Sequence, residues 1–135
     1  MSQEDVEACE RAIDALNRRD IEAVLEDLDP EVEWHPLFQV LLGGEATVYR
    51  GHEGYREFIR DVFEVFTEIQ IEYSEVRDLG DRLLVIGQLR ARSRESGAAT
   101  ESPVGYVIET RNGKALRVTE HLDLKEALEA AGVRA

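Results

Sequence analysis

Near the end of the chain, Glu120-His121-Leu122-Asp123 sets two carboxylates and an imidazole close together, and far upstream Glu33-Trp34-His35 supplies another pair. Histidine changes charge near neutral pH, so His35 or His121, paired with Glu33, Glu120 or Asp123, could shuttle protons. A carboxylate in an apolar pocket has its pKa raised towards neutrality, which suits Asp123 or Glu120 to general-base work. Each residue also has a plainer role. Asp123 sits where a helix N-cap belongs, and the histidines fit hydrogen-bonded rim positions. Glu120 alternates with Leu116, Val118 and Leu122, so it shares an apolar strand face and must find a partner there or stay protonated. Arg90, Arg117 or a ligand could be that partner. On a regular strand Glu120 and His121 point to opposite faces, so at most one of them faces a pocket.

Trp34, Tyr55, Tyr73 and Tyr106 offer apolar area with a polar tip, the chemistry that orients a ligand. Tyr55 also begins a helical core stripe. Trp34 shares a face with Val32. The chain has three histidines and no HxH or HExxH spacing, so neither a metal nor a cofactor is expected. Cys9 reads as a small buried hydrophobe, and His52 belongs to a turn.

The elements that would position these residues follow from periodicity. Ser2 and Asp5 resemble a capping pair before Val6, Cys9, Ile13 and Leu16, which recur at helical spacing. Asp20 caps a shorter helix that Pro30 stops. Residues 31–35 alternate as a first strand. Residues 37–48 are rich in Leu, Val and Phe, and such a loop is expected to fold over something, as a lid or a partner-facing flap. Tyr55, Phe58, Ile59, Val62, Phe63 and Phe66 make the clearest helix. Strands follow over 69–73, 82–94, 99–111 and 114–122. Asn112-Gly113 is a type I′ hairpin turn, and Leu124, Ala127, Leu128 and Ala131 form a terminal helix.

Composition sets the frame. One domain over residues 1–135 is expected, with 43% hydrophobic and 33% charged residues. No apolar run spans a bilayer and no signal peptide opens the chain. A single cysteine cannot form an internal disulfide, so the cytoplasm is expected. The net charge of −13 repels phosphate backbones. Arg90, Arg92 and Arg94 form the one dense basic cluster, and facing glutamates are expected to answer it, so nucleic acid is not an expected partner.

Two adjacent strands of a dozen residues would be ~40 Å long, more than the helices could cover if flat. The sheet must therefore twist and curl, with Gly87 and Gly105 marking bends. The aromatic helix laid over the concave side leaves a hollow. Leu84 and Ile86 place apolar side chains on the other face, and with no helix assigned to cover them a second copy of the chain is the expected cover, making a homodimer.

The chain resembles the nuclear transport factor 2-like superfamily, and in particular its SnoaL-like, polyketide cyclase-like branch. The phrases that carry this are Leu16-Asn17-Arg18-Arg19-Asp20, Leu28-Asp29-Pro30-Glu31-Val32-Glu33-Trp34, Tyr49-Arg50-Gly51-His52-Glu53-Gly54, Arg111-Asn112-Gly113-Lys114 and Glu120-His121-Leu122-Asp123. The resemblance implies an α+β cone: a strongly curved antiparallel sheet, three helices in the N-terminal half and a short C-terminal helix. It also implies frequent dimers and pockets that host cyclases, isomerases, dehydratases, epoxide hydrolases or non-catalytic binders. In the cyclase branch an aspartate precedes the last helix and a glycine follows nine residues on, as Asp123 and Gly132 do here. The resemblance thus extends an acid/base role to Asp123. The catalytic sets of ketosteroid isomerases and epoxide hydrolases do not map onto this chain.

Two functions are therefore expected to compete. One is a pocket that binds a small, largely apolar molecule and performs cofactor-free cyclisation, isomerisation or dehydration through His35, Glu120, His121 and Asp123. Trp34, Tyr55, Tyr73, Arg90 and Tyr106 would contact the ligand. The other is a non-catalytic ligand-binding or dimerisation module.

Overall fold

The computed structural model describes residues 3–133; the Ser2 half of the expected capping pair lies outside them. The chain runs α1 (Gln3–Asn17), α2 (Ile21–Glu26), β1 (Leu28–His35), α3 (Phe38–Leu41), β2 (Tyr49–Arg50), α4 (Gly51–Val65), β3 (Phe66–Asp78), β4 (Arg82–Ser93), β5 (Ala99–Arg111), β6 (Lys114–His121) and α5 (Leu124–Ala130). The fold is α+β, its curved six-stranded sheet ordered β2-β1-β6-β5-β4-β3 and left unclosed.

Local chemistry accounts for most boundaries. Asp20 caps α2 by accepting from the Ala23 N–H at 3.2 Å. Asn112 (φ 53°) and Gly113 (φ 77°) make the hairpin turn with both residues left-handed. The stripe on α4 buries Tyr55, Phe58 and Val62 against the sheet, and the chain passes from Val65 into β3 without a loop. Asn17 closes the free edge of β3. Its amide donates to the Ile71 carbonyl and its carbonyl accepts from the Ile71 N–H, both at 2.8 Å, so the side chain stands in for a neighbouring strand. Asp29 is the least accessible charged residue among those described, and Arg111 grips it with two bonds of 2.8 and 3.1 Å. That hydrogen bonding holds the Asp29 carboxyl below the ordinary carboxylate range.

The curvature has a local cause. Opposite Gly87 the β3–β4 register shifts between Tyr73 and Glu75, and a Cβ on Gly87 would stand 2.4 Å from the Glu72 carbonyl oxygen. A bulge and a missing side chain together bend the pair inward.

Four features differ from the sequence reading. β1 begins at Leu28, with Pro30 inside it at a register irregularity where a missing N–H breaks no ladder. β1 pairs with β6 in parallel, so the sheet is not wholly antiparallel. Residues 37–48 contain one helical turn, α3, and run into the two-residue β2. The convex apolar face is covered by α5, not left for a second copy: Ala127 and Ala131 pack on Leu84 and Val107. Gly105 belongs to this contact rather than to a bend, since a Cβ there would lie 2.6 Å from the Ala127 Cβ.

Gly105→Ala should therefore cost about 1–3 kcal/mol through overpacking, read as a lower denaturation midpoint, and Ala127→Gly in the same chain should recover part of it. Unchanged stability in Gly105→Ala would show that α5 does not dock here.

Candidate functional site

The concave side of the sheet holds two cavities separated by a partition of Leu16, Trp34, Ile71 and Tyr106, which line both. The first, about 90 Å³, lies under α1 and α2, with Cys9, Ile13, Tyr55, Leu83 and Val85 in its walls. Burial there pushes the Cys9 thiol up to about 12, which makes it a poor nucleophile. The second, about 110 Å³, lies between α4, α3 and the sheet. Phe58, Val62, Phe63 and Phe66 wall one side of it, and Leu89, Thr100, Ser102 and Leu122 the other.

Among the described residues lining the second cavity, Glu120 is the one charged side chain. Alternation on β6 puts it there, directly across from Tyr106 on β5. The Tyr106 hydroxyl donates to Glu120 Oε2 at 2.9 Å. The Leu37 backbone N–H donates to Oε1 at 2.9 Å. Pro36 turns the chain out of β1, and the next N–H is thereby free for this bond. Burial raises the Glu120 pKa, and the two donors oppose the rise without a cation's help. Burial, with the charge of Glu120 beside it, also lifts the Tyr106 hydroxyl well above its ordinary value, so it stays a donor. Trp34 stacks on Tyr106 at 5.8 Å and 23° and meets Phe58 edge-on at 5.2 Å. Its indole N–H is buried without a partner, a condition that costs about 1–3 kcal/mol.

The sequence profile of the SnoaL-like domain matches residues 9–118. This chain belongs to the SnoaL-like domain family. Its fold is shared with solved structures. An NTF2-like protein of unknown function from Burkholderia pseudomallei is 26% identical, with a TM-score of 0.81 over 96% of this chain and 97% of that one. TerC, co-crystallised with polyporic acid, is 28% identical, with a TM-score of 0.80 over 96% and 99%. A protein of ketosteroid isomerase-like fold from Catenulispora acidiphila, in complex with trimethylamine, is 10% identical at a TM-score of 0.75 over 95% and 94%, a likeness of fold alone. None of the curated protein sequences matches the chain.

Within this SnoaL-like domain the residues singled out by sequence divide between two faces. Glu120, Trp34 and Tyr106 meet at the second cavity, and Tyr55 lines the first. Tyr73 points inward but lines neither; it stands near Cys9, Glu10 and Asp14 of α1. Arg90 lies between Leu89 and Ala91, which line the cavity, so it faces away and pairs with Glu72 (2.7 Å) and Glu101 (3.7 Å). It lines neither cavity and does not pair with Glu120, and Arg117 likewise pairs with Glu109 at 3.3 Å. His35 and His121 flank residues that line the cavity and therefore point outward. His35 meets Glu33 at 3.2 Å and His121 meets Thr119 at 2.9 Å; burial lowers the His121 pKa. Asp123 is exposed and caps α5 by accepting from the Lys125 N–H at 2.8 Å. His52 ties the start of α4 to the Leu28 carbonyl at 2.9 Å.

Sequence reasoning missed the Leu37 N–H, a backbone group that no residue type announces. Thr100 and Ser102 were within its reach, because they alternate with Tyr106 on one face of β5.

The pH dependence of stability follows from Glu120. Its folded carboxyl keeps a proton to higher pH than its unfolded one, so its stabilising contribution is complete below the unfolded pKa and lost as pH rises through the folded pKa. Glu120→Gln has no such proton to lose. Its melting temperature relative to the parent should climb from acid to neutral pH, and parallel melting curves would contradict a buried, proton-retaining carboxyl.

Proposed function

We propose that this protein binds a small, largely apolar organic molecule in the second cavity and moves a proton on it without a cofactor. What carries the reading is the Tyr106–Glu120 pair, 2.9 Å apart on the wall of one cavity. Two titratable groups converging on shared empty volume are the minimum for acid/base work. Glu120, its pKa raised by burial, is the base. Tyr106 keeps its proton and can turn its hydroxyl from Glu120 to an oxygen on which charge develops. The apolar walls exclude competing water. Such a site suits cyclisation, isomerisation or dehydration, each of which begins with loss of a proton next to an electron-withdrawing group. The TerC structure, with its bound polyporic acid, supports a small-molecule role. The lone cysteine still favours the cytoplasm.

A second reading, a binder without chemistry, draws on the fact that both oxygens of Glu120 already accept a bond from the protein. A homodimer remains compatible with either reading. Its interface would have to use surface other than the patch that α5 covers.

A thermal-shift screen with polycyclic and isoprenoid compounds should find ligands that raise the melting temperature; a chain that none of them stabilises would remove the basis for a pocket. With a turned-over substrate in hand, Glu120→Gln should lower kcat about 10²-fold or more, while Asp123→Asn and His35→Ala keep the parent rate. Full activity in Glu120→Gln would remove Glu120 as the base.

A further inference from the structure

We propose that the second cavity prefers an organic cation, a small ammonium head bearing alkyl groups, over a neutral molecule of the same shape. The inference rests on that cavity being a ligand site and adds the charge of its occupant. Three observations lead to it. Glu120 is the one charged group among the described residues that line the cavity, and no described lysine, arginine or histidine pairs with it. Arg90 and Arg117, the nearest candidates by sequence, are spent on the outer face against Glu72, Glu101 and Glu109. Both hydrogen bonds to the Glu120 carboxyl come from neutral donors, a tyrosine hydroxyl and a backbone N–H. A carboxylate withdrawn from water is stabilised most by an opposite charge, and here the protein provides none.

The walls supply the second half of the recognition. Trp34, Phe38, Phe58, Phe63, Phe66 and Tyr106 line the same cavity. Aromatic faces carry negative electrostatic potential and attract quaternary ammonium groups, whose alkyl substituents pack against the same rings. The chain already uses this interaction on its surface, where the Arg19 guanidinium lies 3.9 Å from the centre of the Phe63 ring. The scale is suitable, since a cavity of about 110 Å³ is of the order that admits a compact head group. The half-exposed rim at Leu41, 65% accessible, leaves the remainder of a longer ligand in solvent. The net charge of −13 also concentrates cations around the protein.

Choline and dimethylbutanol, its neutral carbon isostere, separate charge from shape. Titrated into the full chain by calorimetry, choline should bind about tenfold or more tightly than the alcohol. Glu120→Gln should erase that preference while leaving alcohol binding in place. Phe38→Leu, which exchanges a π face for aliphatic volume, should weaken choline more than the alcohol and serves if the Glu120 variant does not fold. Equal affinities in the parent chain, or tighter binding of the alcohol, would overturn the cation preference and leave the pocket standing. Binding of neither would overturn both.

Discussion

A carboxyl group taken out of water needs donors or a counter-charge, and Glu120 has two neutral donors and no counter-charge. Much of the local architecture serves that arrangement. Tyr106 must stand across from it on β5, so the β5–β6 register cannot slip by even one residue without turning Glu120 to solvent. Leu37 must present its N–H, which fixes the path of the chain from β1 into α3. A second relay, from the Gln39 amide to the Tyr49 hydroxyl and on to Asp61 at 2.7 Å, ties the same segment to α4. The segment that covers the cavity is thus held at both ends, by the site residue and by the helix that forms the opposite wall.

The hollow that makes Glu120 more than a buried oddity comes from the bend at Gly87. The first cavity is a by-product of the same curvature at the α1 end. Its lining carboxylates include Asp27, which is answered by Arg11 at 2.9 Å where Glu120 has no cation, and its buried thiol is inert. The partition of Trp34 and Tyr106 decides how far the two volumes communicate. Trp34 is the residue with something to gain from a ligand, because its indole N–H lacks an acceptor.

Much of the fold was legible in the sequence because its signals are local. The α4 stripe, the Asn112-Gly113 turn and the Asp20 cap each act within a few residues, and all three stand where periodicity and turn chemistry put them. The resemblance to SnoaL-like proteins also held, over residues 9–118. What escaped was non-local. The role of α5 as a cover for Leu84 and Val107 depends on where the chain goes after β6, and a seven-residue helix does not announce which face it will choose. Parallel pairing of β1 with β6 is invisible to alternation, which reads the same in either direction. Among the candidate site residues, alternation correctly separated Glu120 from His121. Applied as strictly to Trp34 and His35, or to Leu89 and Arg90, it would have placed His35 and Arg90 outside as well. Asp123 went the way its capping position favoured.

One carboxyl group therefore concentrates the account, and its titration can be watched directly. Carbon-13 NMR of the Glu120 side-chain carboxyl, assigned by comparison with Glu120→Gln, should show a midpoint above the range of the chain's exposed glutamates. A midpoint within that range would mean that the carboxyl stands in water, and would contradict the enclosed site on which the functional reading depends.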